Sequence, residues 1–321
     1  MPARGVRWLE RTVAGGLAVW AAGRIAAADR FRPADAQAVA VLAFTPQAAA
    51  GAWLAALLMR DKRAGAVAAV AAGVLTAAVA PRAIARLQPD ADGPVLRVLT
   101  ANLLVGRADA EPVVDLARKL DVDVLFAQEV TGAAAARLDQ AGLGTVLPHM
   151  ASDLGSADSR GNVIYARYPM DDCPSIPAGS PAQPAVTLSL PGGMVRLGCV
   201  HLHTPKPVRS RSGVIRWRDE LRALPAGAEP GAGPLILAGD FNATLDHAEF
   251  RRLLRRGYAD AACQAGLGLV PTWGPGAGRT GQLTIDHVIA DQRCAVRGVS
   301  VHALPGTDHR AVFAELALIR D

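Results

Sequence analysis

Eight polar residues of this 321-residue chain stand at or just beyond the ends of short apolar runs: Asn102, Glu129, His201, Asp240, Asn242, Asp286, Asp308 and His309. Four are carboxylates, two are imidazoles and two are carboxamides. Together they offer hard oxygen ligands, proton acceptors and hydrogen-bond donors. Hydrolysis of a phosphoester uses all three: a cation neutralises developing charge, a base activates water, and donors surround the non-bridging oxygens. Glu129, supported by Asn102 and Asp308, supplies oxygens suited to Mg²⁺ or Mn²⁺. Mg²⁺ keeps several waters and needs only one or two carboxylates, so the sparse set is adequate.

Each residue also has a plainer reading. Asn102 fits a turn after a strand, Asp240 and Asn242 an Asx-rich turn, Asp286 a strand edge, and Asp308-His309 a turn before the last strand. Glu129 is harder to dismiss, because it directly follows the apolar run Leu125-Phe126-Ala127-Gln128 and precedes Val130. His201 and His203 alternate and would share one strand face. No third nitrogen ligand accompanies them, so His201 reads as functional and His203 as rim. His149, His247, His287 and His302 read as structural or exposed. Trp273 fits a cleft wall and a packing role equally well.

The elements that must position these residues follow from pattern. Short β-rich runs at 96–101, 122–128, 162–166, 185–190, 195–202, 235–238, 283–290, 296–303 and 312–318 predict strands. Stretches at 110–120, 133–141, 210–224 and 247–256 predict helices between them. Many strands with a few interspersed helices indicate an α/β class with stacked sheets.

The order and spacing of these residues, with Gly198-Cys199-Val200-His201, Gly239-Asp240-Phe241-Asn242, Thr284-Ile285-Asp286-His287 and Thr307-Asp308-His309 around them, resembles the endonuclease/exonuclease/phosphatase superfamily over about 95–319. The resemblance implies a four-layer α/β/β/α sandwich and metal-dependent phosphoester hydrolysis. It implies that Asp240 orients or deprotonates the attacking water, and that Asn242 holds phosphate or the nucleophile. His201 would donate to a phosphate oxygen. His309 would contact phosphate or share the acid/base work, with Asp286 fixing its tautomer; the base is either Asp240 or His309. Thr307 stands where serine is commoner, and no long insertion like that of phospholipid- and inositide-cleaving members is evident. His201 stands where AP endonucleases carry a tyrosine, which disfavours abasic-site repair.

The first third of the chain is different. Overall the sequence is 51% hydrophobic but only 4% aromatic, with a net charge of +5. Residues 1–89 hold 11 basic and 4 acidic residues, a net of +7, and the remainder holds 23 and 25, a net of −2. The basicity therefore flanks apolar runs and is a topology signal, not a nucleic-acid footprint. Those runs cover 13–28, 36–59 and 64–80, and the second carries no charge and is long enough to span a bilayer. Arg4, Arg7 and Arg11 precede the first; Arg60, Lys62 and Arg63 separate the second from the third. By the positive-inside rule these ends are cytoplasmic, and three crossings leave the rest outside. Alternatives are a cleaved signal peptide for the first run and a soluble alanine-rich bundle for the whole.

The expectation is a membrane anchor with about three transmembrane helices at 1–88, a Pro/Gly linker at 89–94 and a catalytic domain at 95–321. The protein would sit in the cell membrane as a multi-pass chain, with the catalytic domain extracytoplasmic and the bilayer as partner; no protein partner is implied. The expected substrate is a phosphoester, either nucleic acid or a phospholipid headgroup of the sphingomyelinase type. A non-catalytic membrane scaffold is the reading from another class. Lys206, Arg209, Arg211, Arg216, Arg218 and Arg222, and again Arg251, Arg252, Arg255 and Arg256, fit either anion attraction or a solvated helix face. Cys173, Cys199, Cys263 and Cys294 form no C-x-x-C pair and read as free thiols, with a Cys263–Cys294 bridge the alternative if the domain is exported.

Overall fold

Strand alternation builds two sheets back to back in this computed structural model, which describes residues 2–31, 35–153, 161–178, 183–205, 211–227, 233–274 and 281–319. The first sheet holds β1 (Val95–Asn102), β2 (Val124–Val130), β3 (His149–Asp153), β4 (Gly161–Ala166), β11 (Cys294–Ala303) and β12 (Arg310–Leu318), in the order β11-β12-β1-β2-β4-β3. The second holds β5 (Met170–Ile176), β6 (Gln183–Leu190), β7 (Gly193–His201), β8 (Leu235–Asp240), β9 (Tyr258–Asp260) and β10 (Asp286–Asp291), in the order β5-β6-β7-β8-β10-β9.

Successive side chains of a strand point to opposite faces. Leu96, Val98, Val124 and Phe126 of one sheet thus meet Leu197, Cys199, Ile236 and Val288 of the other in a core between them. The intervening residues Leu99, Leu125 and Ala127 face outward onto α5 (Ala110–Lys119) and α6 (Gly132–Gln140). On the far side Leu237 and Ile289 face α7 (Arg211–Ala223) and α8 (Ala248–Leu254), where Trp217, Phe250 and Leu253 are buried. The result is the α/β/β/α sandwich that the sequence suggests. A short α9 (Ala261–Gln264) follows β9. All four cysteines are free thiols, so the Cys263–Cys294 alternative does not form.

The N-terminal helices are α1 (Pro2–Ile25), α2 (Asp35–Leu42), α3 (Thr45–Leu58) and α4 (Lys62–Val79), the last continued by a 3₁₀ turn to Ala83. Among the described residues, Lys62–Ala83 alone is long and apolar enough as one helical segment to cross a membrane, and α2 with α3 passes the same test only as a pair bent by 73°. The apolar run at 36–59 is therefore not one straight helix. Pro46 sits in the first turn of α3, where its missing N–H costs nothing, but it disfavours helical geometry at the residue before it. The Thr45 hydroxyl donates to Leu42 O at 2.6 Å and so caps the end of α2.

This region is tied to the sandwich by buried contacts. Arg24 Nε donates to Asp246 Oδ1 at 2.6 Å, and Arg82 donates through Nη2 to Oδ1 at 2.6 Å and through Nη1 to Oδ2 at 2.8 Å. Ala248 N donates to Asp29 Oδ2 at 2.7 Å, and Arg218 donates to Asp29 O at 2.6 Å. Ala36 and Val39 of α2 join the outer core beside Trp217 and Phe250. Arg218 is accordingly buried and not part of a solvated face, whereas Lys206 and Arg209 lie outside the described residues.

Candidate active site

Topology alone brings the polar strand ends to one rim. β1 and β2 run parallel, with Asn102 level with Gln128, next to Glu129. β7 and β8 also run parallel, with His201 opposite Asp240. β10 runs antiparallel to β8, so its first residue, Asp286, is paired with the last residue of β8, Asp240. β12 is antiparallel to β1, which puts Asp308 and His309 at the same end.

The side chains close on one another. Asn102 Nδ2 donates to Asp240 Oδ2 at 3.0 Å and to Glu129 Oε1 at 3.4 Å. His201 Nε2 lies 3.7 Å from Glu129 Oε1 and 4.0 Å from Asp240 Oδ2. His309 Nδ1 donates to both oxygens of Asp286 at 3.0 Å, leaving Nε2 at 3.8 Å from Asp240 Oδ2 and 3.9 Å from Asp308 Oδ1. Asn242 N donates to Asp240 Oδ1 at 2.8 Å while its Nδ2 donates to Leu202 O at 2.9 Å. The eight residues singled out in the sequence thus meet at one place. β7 ends at His201, so His203 lies past the strand and does not continue its alternation.

Two of these positions are held in unusual backbone. Glu129 has φ 56° and Asn242 φ 48°, the left-handed region, costing roughly 1–3 kcal/mol each for a residue with a Cβ. Glu129 sits at an irregularity between Ala127 and Val130 in the β2–β4 pairing, which turns its carboxylate towards the rim, where Val105 N donates to Oε2 at 3.0 Å. Gly239 has φ 148°, and a Cβ there would lie 1.8 Å from Val200 O. Glycine lets β7 and β8 approach closely enough to set His201 against Asp240.

Burial sets the charge states. Burial and then the charge of Asp286 push Asp240 up to about 6, against the pull of His309 and His201. At His309 burial disfavours the cation, but Asp286 foremost, then Asp240 and Asp308, outweigh it and push the imidazole up to about 10. Asp240, Asp286 and His309 offer polar atoms all within 4.8 Å of one another, a buried group that can hold a metal ion when the imidazole is neutral. The oxygens of Glu129 and Asp240 beside Asn102 extend it into a hard donor set suited to a divalent cation. Asn102 turns its NH₂ to both carboxylates while Oδ1 accepts from Leu104 N at 3.0 Å, so it tethers the carboxylates in this rotamer and would ligate a cation only if the amide turned over.

Other contributors gave weak or no sequence signal. Thr272 Oγ1 accepts from Asp286 N at 2.9 Å, and Gln183 grips the backbone of His201 through both ends of its amide. Trp273 Nε1 donates to Asp308 Oδ2 at 3.0 Å and lines the cleft. His247 accepts from Thr244 N at Nδ1, so its Nε2–H donates to Val39 O of α2, at 2.9 Å. His287 is buried between Asp260 and Ala243 O and is structural.

The family model described as "Endonuclease/Exonuclease/phosphatase family" matches residues 99–309, about two thirds of the chain, from the middle of β1 to His309. The chain belongs to this family. Members of the endonuclease/exonuclease/phosphatase family are hydrolases of phosphoester bonds. An endonuclease/exonuclease/phosphatase from Beutenbergia cavernae aligns with a TM-score of 0.54 at 21% identity, covering 70% of this chain and 72% of its own. TDP2 from C. elegans aligns at 0.52 and 17%, covering 82% and 83%. D. rerio TDP2, complexed with a single-strand DNA product, aligns at 0.51 and 16%, covering 69% and 98%. At these identities the likeness shows the shared fold alone. No curated protein matches in sequence.

Proposed function

We propose that the chain is a membrane-anchored, metal-dependent phosphoester hydrolase, with 1–88 as anchor and 95–321 as an extracytoplasmic catalytic domain. The observation that carries the chemistry is the meeting of Glu129, Asp240, Asp286 and His309 at one rim, with His201 and Asn102 between them. Glu129 with Asp308, and Asn102 once its amide is turned, would hold Mg²⁺ or Mn²⁺, which when bound neutralises charge developing on the phosphoryl oxygens. Asp240, pushed towards neutrality, is suited to take the proton of the attacking water. His309, kept charged by Asp286, and His201 are suited to donate to phosphate oxygens, and Asn242 to orient the nucleophile. The water oxygen bonds to phosphorus as the P–O bond to the leaving alcohol breaks, and the proton gathered by Asp240 returns to that alcohol. The DNA product on D. rerio TDP2 favours a phosphodiester as substrate.

Membrane placement is supported by the apolar segment Lys62–Ala83 and by large apolar side chains that α1 and α3 turn outward, Trp8, Val19, Trp53 and Leu57 among them. Arg7, Arg11, Arg60 and Arg63 gather at one end of the helices, which is the cytoplasmic end by the positive-inside rule.

The full chain in detergent, given bis-p-nitrophenyl phosphate with Mn²⁺, is expected to turn over, to stop with chelator and to recover on metal re-addition. Glu129→Gln should lower kcat/KM by about 10²–10³ and Asp240→Asn by about 10²–10⁴. Turnover that ignores both chelator and these substitutions would end the proposal.

A further inference from the structure

The wall of the catalytic cleft is not built by the sandwich alone. A pocket of about 590 Å³ has Glu129, Asp240, Asn242, Asp308 and His309 on one side, and Val39, Ala40, Ala43 and Phe44 from the α2–α3 bend on another. Leu283 and Ile285 extend the apolar side. A nucleic-acid backbone needs cations along such a wall, and this bend supplies none. The volume lies in the range that small ligands fill.

The length of the helices says what the wall faces. At the far end Arg11 pairs with Asp61 at 2.7 Å, and Glu10 accepts from the backbone N–H of Arg60 and Asp61. At the near end Arg24 is bonded to Asp246 of the sandwich. Arg11 and Arg24 stand thirteen positions apart along α1, about 20 Å of helix. α3 has 14 residues, about 21 Å. A hydrocarbon core is about 30 Å thick; Lys62–Ala83 can reach across it, but α3 and the α1 stretch between Arg11 and Arg24 fall short, which draws the α2–α3 bend to the lipid surface. Val41 within α2, 41% exposed, and Phe31 shortly before it, 62% exposed, add outward-facing apolar surface in this part of the chain.

We infer that the cleft takes a phospholipid from the bilayer holding the helices, with the phosphodiester at Glu129, Asp240 and His309 and the start of the acyl chains against Val39, Ala43 and Phe44. This rests on the hydrolase reading above and names its substrate.

The test uses the full chain in detergent with Mn²⁺ and p-nitrophenyl alkyl phosphates of increasing alkyl length, which share one leaving group. kcat/KM is expected to rise with each methylene that enters the pocket, by up to about fourfold. Phe44→Ala and Ala43→Asn, each checked for an unchanged helical spectrum, are expected to flatten that slope. The chain in phosphatidylcholine vesicles is expected to release lipid products faster than it cleaves added single-stranded DNA. A flat slope with metal-dependent turnover of the methyl member overturns the lipid inference and leaves the hydrolase standing. A slope that both variants leave intact overturns the role of the bend, and DNA cleaved with lipid untouched overturns the substrate. No turnover of any member with metal removes the hydrolase reading itself.

Discussion

Replacing Asp246 by asparagine tests how the helices are joined to the catalytic sandwich. The carboxylate is fully buried and receives three charged hydrogen bonds of 2.6–2.8 Å from Arg24 and Arg82, which are themselves 12% and 9% exposed. Removing one partner of a buried ion pair leaves the other charge uncompensated, a loss of about 3–5 kcal/mol. With an unfolding entropy of about 2.1 cal/mol/K per residue, a chain of this size should lose about 5–7 °C in Tm. Thermal melts of wild type and Asp246→Asn in one detergent measure this. Arg82→Met is the companion: alone it should also destabilise, and joined with Arg24→Met and Asp246→Leu it should recover much of the loss, because the desolvation of all three ions disappears together. A Tm change under about 1 °C for Asp246→Asn, or simple additivity in the triple variant, would refute the clamp.

The same residue gives a pH signature. Burial opposes ionisation of Asp246, yet Arg82 and then Arg24 hold its carboxyl below the ordinary 3.8. Its folded pKa lies below the unfolded one, so its stabilisation is fully present above about pH 5 and is lost as pH falls through the folded value. The Tm difference between wild type and Asp246→Asn should therefore shrink only in acid, which melts from neutral pH down to about 3 would follow. Gly239→Ala should cost more than about 4 kcal/mol, since its Cβ would overlap Val200 O; urea titration that shows a near-normal midpoint would contradict this.

The sandwich and its polar rim were legible because each strand carries its own signal: an alternating apolar run closed by a polar residue with chemistry to offer. Asp286 and His309 could be paired from the sequence by resemblance, and the start of β10 and the start of β12, each set antiparallel against a strand that ends at this rim, explain why they meet. Edge strands were less legible. β5 contains Pro174 and exposed Asp171 and Asp172, a composition tolerated only where one side lacks a pairing partner. The break within 36–59 was signalled by Thr45-Pro46 but was masked by the uniform apolarity on both sides. The clamp was invisible for another reason: Arg24 and Asp246 are 222 positions apart, and nothing local marks either as one half of a pair.

The bend after Leu42 has a consequence for how this protein can be altered. The Val39 carbonyl just before it accepts from His247, and the side chains of the bend line the cleft, so the helices cannot be exchanged for another segment as a leash can. Cutting the chain at 94 would strip Trp217 and Phe250 of their cover and strand Asp246. A derivative without the helices would need new residues at 214–221 and 244–250 designed as a set.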